Sequence, residues 1–172
     1  FNGSNFVVSS STSARPAVYI SNTNSDAEAP SLIFDRTSTA GADGDDIGKV
    51  NFDAEDDAGN GPHTYAQILG EIVDASDTAE EGRLTFRVAS HDAELNPGLK
   101  MQSGDAEDEV DVTIGSGTTS LTTIAGDLQV SGNDIKDDDG TTCITFDSSG
   151  NTSVAGTLSC ADLDITGSSN AL

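Results

Sequence analysis

Tryptophan is absent from this chain, and only two histidines, two cysteines and seven Lys or Arg side chains are spread over its 172 residues. Without Trp, the usual platform for stacking a sugar ring is missing. Seven cations against 30 Asp and Glu leave a formal charge of −23. That balance excludes nucleic acid and an anionic membrane surface as direct partners, because phosphate binding needs clustered Lys and Arg. Lys49, Lys100 and Lys136 form no such cluster in the sequence. Acidity on this scale favours solubility and suits salty water, where self-repulsion is screened over a short Debye length. Cys143 and Cys160 do not make a disulfide framework in a chain this long. Cys160 keeps step with Leu158 and reads as a small buried side chain, and a bridge between the two cysteines stays open. No apolar run approaches the ~20 residues of a membrane span, and no secretory leader is recognisable.

Large apolar side chains are also scarce, with hydrophobic residues at 34% and aromatics at 5%. Adding the 18 glycines brings the chain to about the 45–50% of ordinary domains, so disorder is not forced. A narrow core, one or two side chains deep and completed by other subunits, fits these proportions better than one large globule. What the chain has in abundance is Ser, Thr, Gly, Asn and Asp, which supply 89 of its residues. These types favour turns and short strands over helices.

Two regions differ in texture. Residues 1–103 carry the longer strand patterns and most of the aromatics. Ala17–Ile20 and Ser31–Phe34 are short apolar runs bounded by turn residues, and both are expected to be strands. Gly48–Asp53 alternates with Val50 and Phe52 on one face. Tyr65–Val73 carries Ala66, Ile68, Gly70 and Ile72 in step, a polar turn follows over Asp77–Gly82, and Leu84, Phe86 and Val88 point inward on the return. The pair predicts a β-hairpin with a loop longer than two residues. Asp92–Leu95 is the one helical hint, at most a single turn stopped by Pro97. Together these segments predict an antiparallel, sandwich-like module.

Residues 104–172 read as one short phrase written twice. Val112-Thr113-Ile114 leads through a Gly/Ser/Thr turn to Ala125-Gly126-Asp127-Leu128, and Ile144-Thr145-Phe146 leads through Asp147–Gly150 to Ala155-Gly156-Thr157-Leu158. The offset is 30 to 32 residues. Leu128 alternates with Val130, and Leu163 with Ile165. Asp137-Asp138-Asp139-Gly140 is a reversal signal, since Asp bonds its own backbone and Gly takes the positive φ. A unit of this size cannot bury its apolar face alone and must stack on a neighbour. Two copies are few for a free-standing solenoid, and open strand edges invite aggregation. Closure by three parallel chains about one axis answers both difficulties. The interchain core is then expected to comprise Leu121, Ile124, Leu128, Val130, Ile135, Ile144, Phe146, Val154, Leu158, Leu163 and Ile165.

The stretch Ala125–Leu158, AGDLQVSGNDIKDDDGTTCITFDSSGNTSVAGTL, resembles the β-rich shaft repeats of bacteriophage tail fibres. The upstream segments Ile47-Gly48-Lys49-Val50-Asn51-Phe52, Tyr65-Ala66-Gln67-Ile68 and Glu81-Gly82-Arg83-Leu84-Thr85-Phe86 are similar to a strand module that often precedes such shafts. The resemblance runs from about Pro30 to Leu158 and rests on strand and turn patterns without an invariant chemical group. It implies an all-β, elongated homotrimeric virion fibre: a sandwich-like module followed by a shaft of intertwined, short-stranded β-prism or β-helix repeats. Its partners would be two further copies, other tail proteins and, through the whole fibre, a host-cell receptor. The chain begins at Phe1 rather than Met and shows no recognisable particle-attachment segment or tip domain, so an interior segment of a longer polypeptide is expected.

Candidates for chemistry are few. Asp53 with Glu55 and Asp105 with Glu107 could pair for glycoside hydrolysis, but such a pair needs a set separation and one raised pKa. In an acid-rich chain sequence pairs say little, and no enzyme is expected. His63 and His91 have no Ser or Cys nucleophile in a recognisable motif. Gly115-Ser116-Gly117 lacks the Lys of a phosphate loop. Asp53, Glu55 and Asp57 place oxygens at alternate positions, as a structural Ca²⁺ would require. However, Ala58 stands where the EF-hand needs Gly, and no bidentate Glu follows; no other cofactor is expected. Two other readings stay open: a secreted or cell-surface β-repeat adhesin, and a non-catalytic part of a polysaccharide-degrading tailspike.

Overall fold

A computed structural model describes residues 5–37, 40–132, 134–137 and 139–157. Among them the fold is all-β, with eight strands in two antiparallel sheets and no helix. The chain divides into two units, Phe1–Thr122 and Thr123–Leu172.

The first unit holds a five-stranded meander of β1 (Asp46–Glu55), β2 (Pro62–Asp74), β3 (Glu81–Ala89), β4 (Leu95–Ser103) and β5 (Val110–Ile114) in sequential order. The expected hairpin between Tyr65–Val73 and Arg83–Val88 is present as β2 and β3, paired from Ala66 opposite Val88 to Asp74 opposite Glu81. The sandwich-like layering is not. Within the described residues of this unit the meander is a single layer, and Ala17–Ile20 and Ser31–Phe34 form no strand. Each of those runs has strand composition but is paired with no strand of the sheet.

One boundary also moves. Val112-Thr113-Ile114, read as the opening of the shaft at residue 104, belongs to β5 and pairs with β4 from Ser103 opposite Val110 to Leu99 opposite Ile114. The acidic loop between them closes the hairpin. The Gly104 amide donates to the Glu109 carbonyl at 3.1 Å, and the Ala106 amide donates to the Glu109 carboxylate at 3.0 Å. β4 itself escaped the sequence reading because Pro97 interrupts it. Pro97 sits near the strand's start, opposite Arg87, next to a shift of register at Phe86 and Arg87, which is where a sheet tolerates a missing donor. The helical hint before it is a hairpin turn: the Ala93 amide donates to the Ser90 carbonyl at 2.8 Å and the Ser90 amide to the Glu94 carbonyl at 2.9 Å.

The second unit holds β6 (Asp134–Lys136), β7 (Thr142–Phe146) and β8 (Thr152–Val154), again in sequential order. Its two turns are built alike. The amides of Asp137 and Asp147 donate to the carbonyls of Thr141 and Asn151, each at 3.0 Å, and Gly140 and Gly150 donate back at 3.1 Å. Both glycines take positive φ, 77° and 81°, which only Gly adopts at no steric cost. The Asp carboxylate of each turn accepts from the amides two and four residues on, at 2.8–3.1 Å. No strand forms at Leu128–Val130. Leu158, Cys160, Leu163 and Ile165 lie outside the described residues.

Candidate interchain surfaces

The register of the five-stranded sheet sorts its side chains into two unlike faces. Val50, Ile68, Phe86, Leu99 and Ile114 stand opposite one another in one unbroken row across all five strands. Beside it runs a second row of Gly48, Gly70, Leu84, Met101 and Val112. Phe52, Ala66 and Val88 extend the same face. Alternation by twos put the residues of β1, β2 and β3 in step, as the sequence predicted, while Leu99, Met101, Val112 and Ile114 were not expected beside them; together they do not point into a core. Phe52 is 53% exposed, Val88 54% and Ile114 61%. The only buried hydrophobic side chain among the described residues is Leu69, on the opposite face.

That opposite face is polar and better covered. Leu69 lies between Lys49 and Thr85 in register, and long flanking side chains shield it with their alkyl stems. Glu71, almost fully buried, accepts from Arg83 in a bidentate pair: Nη2 donates to Oε1 at 2.8 Å and Nε to Oε2 at 3.1 Å. Arg87 stands 3.6 Å from the same carboxylate. The bonds to Glu71 hold the Arg83 guanidinium charged more firmly than usual. Gln67, also buried, donates to Asn51 at 2.9 Å. The better-buried side of this sheet is therefore its charged side, and the bare side is apolar.

One corner of the apolar face is occupied. A Cβ placed on Gly48 would come within 2.6 Å of the Phe34 Cβ, so the absence of a side chain there is what admits Phe34. Phe34, Gly48, Gly70 and Leu84 line a groove of about 290 Å³. The approach is fixed by Arg36, which forms an ion pair with Asp45; that bond holds the Asp45 carboxyl below the usual carboxylate range.

In the second unit Ile135, Ile144 and Val154 form a matching apolar row across β6, β7 and β8. Ile135 is 38% exposed and Val154 41%, while Ile144 and Phe146 are half-buried. Leu121, Ile124 and Leu128 are exposed, and Val130 is half-buried. Leu158, Leu163 and Ile165 of the expected interchain core fall outside the described residues. Cys143 is a free thiol on β7.

The Ca²⁺ candidates are not brought together. Asp53 accepts from the Thr64 hydroxyl at 2.7 Å, and the loop is organised instead by Asp56, which was not among the three candidates. Its carboxylate accepts from the Ala58 and Asn60 amides at 3.0 Å and from the Asn60 side chain at 2.8 Å. The Asn60 bonds depress its pKa, helped by His63 3.6 Å away. Among the described residues no group of three or more His, Cys, Asp and Glu side chains is placed to hold a metal ion. Asp56 could have been found by the spacing it shares with Asp137 and Asp147, an Asp three residues before Gly.

Comparison with known proteins finds no matching family model, curated protein or solved structure. The reading of function therefore rests on the geometry above.

Proposed function

We propose that the chain is a structural segment of a bacteriophage tail fibre, a rod of three identical chains that supports attachment to the host cell. The observation that carries this reading is the exposure of Ile135, Val154, Leu121, Ile124 and Leu128 in the single chain. Ile135 and Val154 stand in one row of a sheet face, the other three lie in the strandless stretch before it, and apolar side chains left in water in this way mark a surface that associates. The short strands, the repeated Asp–Gly turns and the charge of −23 suit a slender assembly whose apolar rows meet inside and whose carboxylates face out.

The mechanism is mechanical. Burying an aliphatic side chain of this size contributes roughly 1.5–3 kcal/mol, and repetition over three chains and successive layers makes a stiff rod. Such a rod holds a receptor-binding tip away from the particle and transmits contact back to it. Its partners are two further copies, the neighbouring tail proteins and, through the whole fibre, a cell-surface receptor. Light scattering on the purified chain is expected to give the mass of three chains with or without chelator, and Leu128→Asp or Ile144→Asp is expected to abolish it. A folded wild-type monomer, or trimers of undiminished stability in both variants, would overturn the interchain core.

A further inference from the structure

The apolar face of β1–β5 lies in the first unit, outside the set of interchain core residues expected from the sequence. Its two complete rows hold ten positions without a charged or hydrogen-bonding side chain. Five strands about 4.8 Å apart make a wall about 24 Å wide, and two rows spanning about 14 Å of strand give a footprint of about 330 Å². That matches the largest apolar patch an ordinary monomer exposes, and such patches mark interaction sites. Phe34 covers it at the Gly48 corner.

Charge selects the occupant. The chain carries −23, and the cations of the sheet, Lys49, Arg83, Arg87 and Lys100, all sit on the opposite face. A basic partner would find no carboxylate on the apolar rows, and a polar partner would lose its hydration there for no new bond. Another copy of this sheet offers the same uncharged face. No carboxylate stands in either row, so two strongly negative chains can approach along this surface without like charges meeting on it. We propose that this face is closed by two further copies of the same chain, which form a triangular prism with Leu84, Phe86 and Val88 of each copy nearest the axis. The number three rests on the fibre reading above, and two geometric points accord with it. Three walls about 24 Å wide leave about 7 Å from wall to axis, close to half the ~10 Å spacing of packed sheets with room for a phenylalanine. A prism also sets β1 of one copy beside β5 of the next, whereas a two-copy sandwich leaves both edges open.

Ile114 and Thr113 are adjacent on β5 and point to opposite faces, and both are exposed in the single chain. A glutamate at either costs the isolated fold little, so the pair isolates the face as the variable. The masses of the wild type, Ile114→Glu, Val88→Glu and Thr113→Glu would be measured by light scattering over a range of concentrations, with backbone hydrogen exchange reporting the fold. The expected result is a three-chain wild type and Thr113→Glu. Ile114→Glu and Val88→Glu should be folded monomers, their trimerisation constants down at least ~1,000-fold because three unpaired carboxylates would be buried. Trimers of wild-type stability in Ile114→Glu and Val88→Glu would overturn the face while leaving the fibre reading intact. A monomeric wild type would overturn both, and a two-chain mass would overturn the prism.

Discussion

Arg83→Met is the most direct test of how the five-stranded sheet is held on its polar side. Arg83 makes two charge-assisted bonds to Glu71, at 2.8 and 3.1 Å, and a longer one to Gln102 at 3.4 Å. The Glu71 side chain is 9% exposed and the Arg83 side chain 29%. Bonds to charged groups contribute about 1.5–3 kcal/mol each, and stripping the partner from a fully buried charge costs about 3–5 kcal/mol. Arg83 is partly wet, so water screens and partly replaces what is lost, and the expected destabilisation is about 2–3 kcal/mol. Arg87, 3.6 Å from the same carboxylate, forms the weaker, surface-like contact, and Arg87→Met should cost under about 1 kcal/mol. Removing the buried carboxylate as well should return part of the loss, so Glu71→Gln with Arg83→Met should be about 1–2 kcal/mol more stable than the sum of the single variants. Urea unfolding at one fixed chain concentration measures all four, since association shifts apparent stability. Equal losses for Arg83→Met and Arg87→Met, or strict additivity in the double variant, would refute the reasoning.

Two further outcomes are expected from the turns. Ala93 takes φ of 67° at the position where the second unit uses Gly140 and Gly150, so Ala93→Gly should relieve left-handed strain and raise stability by about 0.5–1 kcal/mol; a lower urea midpoint would show the turn is wrongly described. The Asp147 carboxyl lies below its usual value of 3.8, chiefly through the Asn151 side-chain amide and then the Asn151 backbone amide. Because its folded pKa is the lower one, its contribution is complete above the unfolded value and lost as pH falls through the folded value. Acidification also relieves repulsion among 30 carboxyls, so the effect should be read locally: the Asp147 carboxyl and Asn151 amide NMR signals should share a midpoint below 3.8. A midpoint at or above that value would contradict the turn.

The sequence was most readable where one signal sufficed. Val50 with Phe52, the Ala66–Ile72 series and Leu84–Val88 alternate cleanly, and those segments are strands with those residues on one face. The Asp147–Gly150 reversal likewise carries its own chemistry in an Asp and a Gly at fixed offset. β4 was hidden because Pro97 speaks against a strand and only pairing with β3 shows that it lies at a permissive position. The assignment of Val110–Ile114 turned on which neighbour it meets, and the repeat with Ile144–Phe146 drew it to the wrong one. Ala17–Ile20 and Ser31–Phe34 have strand composition without a strand partner, since propensity describes a fit to a pleated surface that must itself be present. The direction of the apolar face was beyond reach altogether: period two tells which residues share a side, not whether anything lies against it.

Among the described residues every strand in both sheets pairs only with the strand before or after it in the chain. Each register is closed by a loop of a few residues, so the contacts that define a single chain are short-range along the sequence and form at little cost in loop entropy. Hairpins can therefore zip one after another as the polypeptide leaves the ribosome, well before any other copy is met. The slow event is left to the meeting of chains, whose rate depends on their concentration. Local expression level would then govern how much of this protein matures and how much waits with its greasy side open to water.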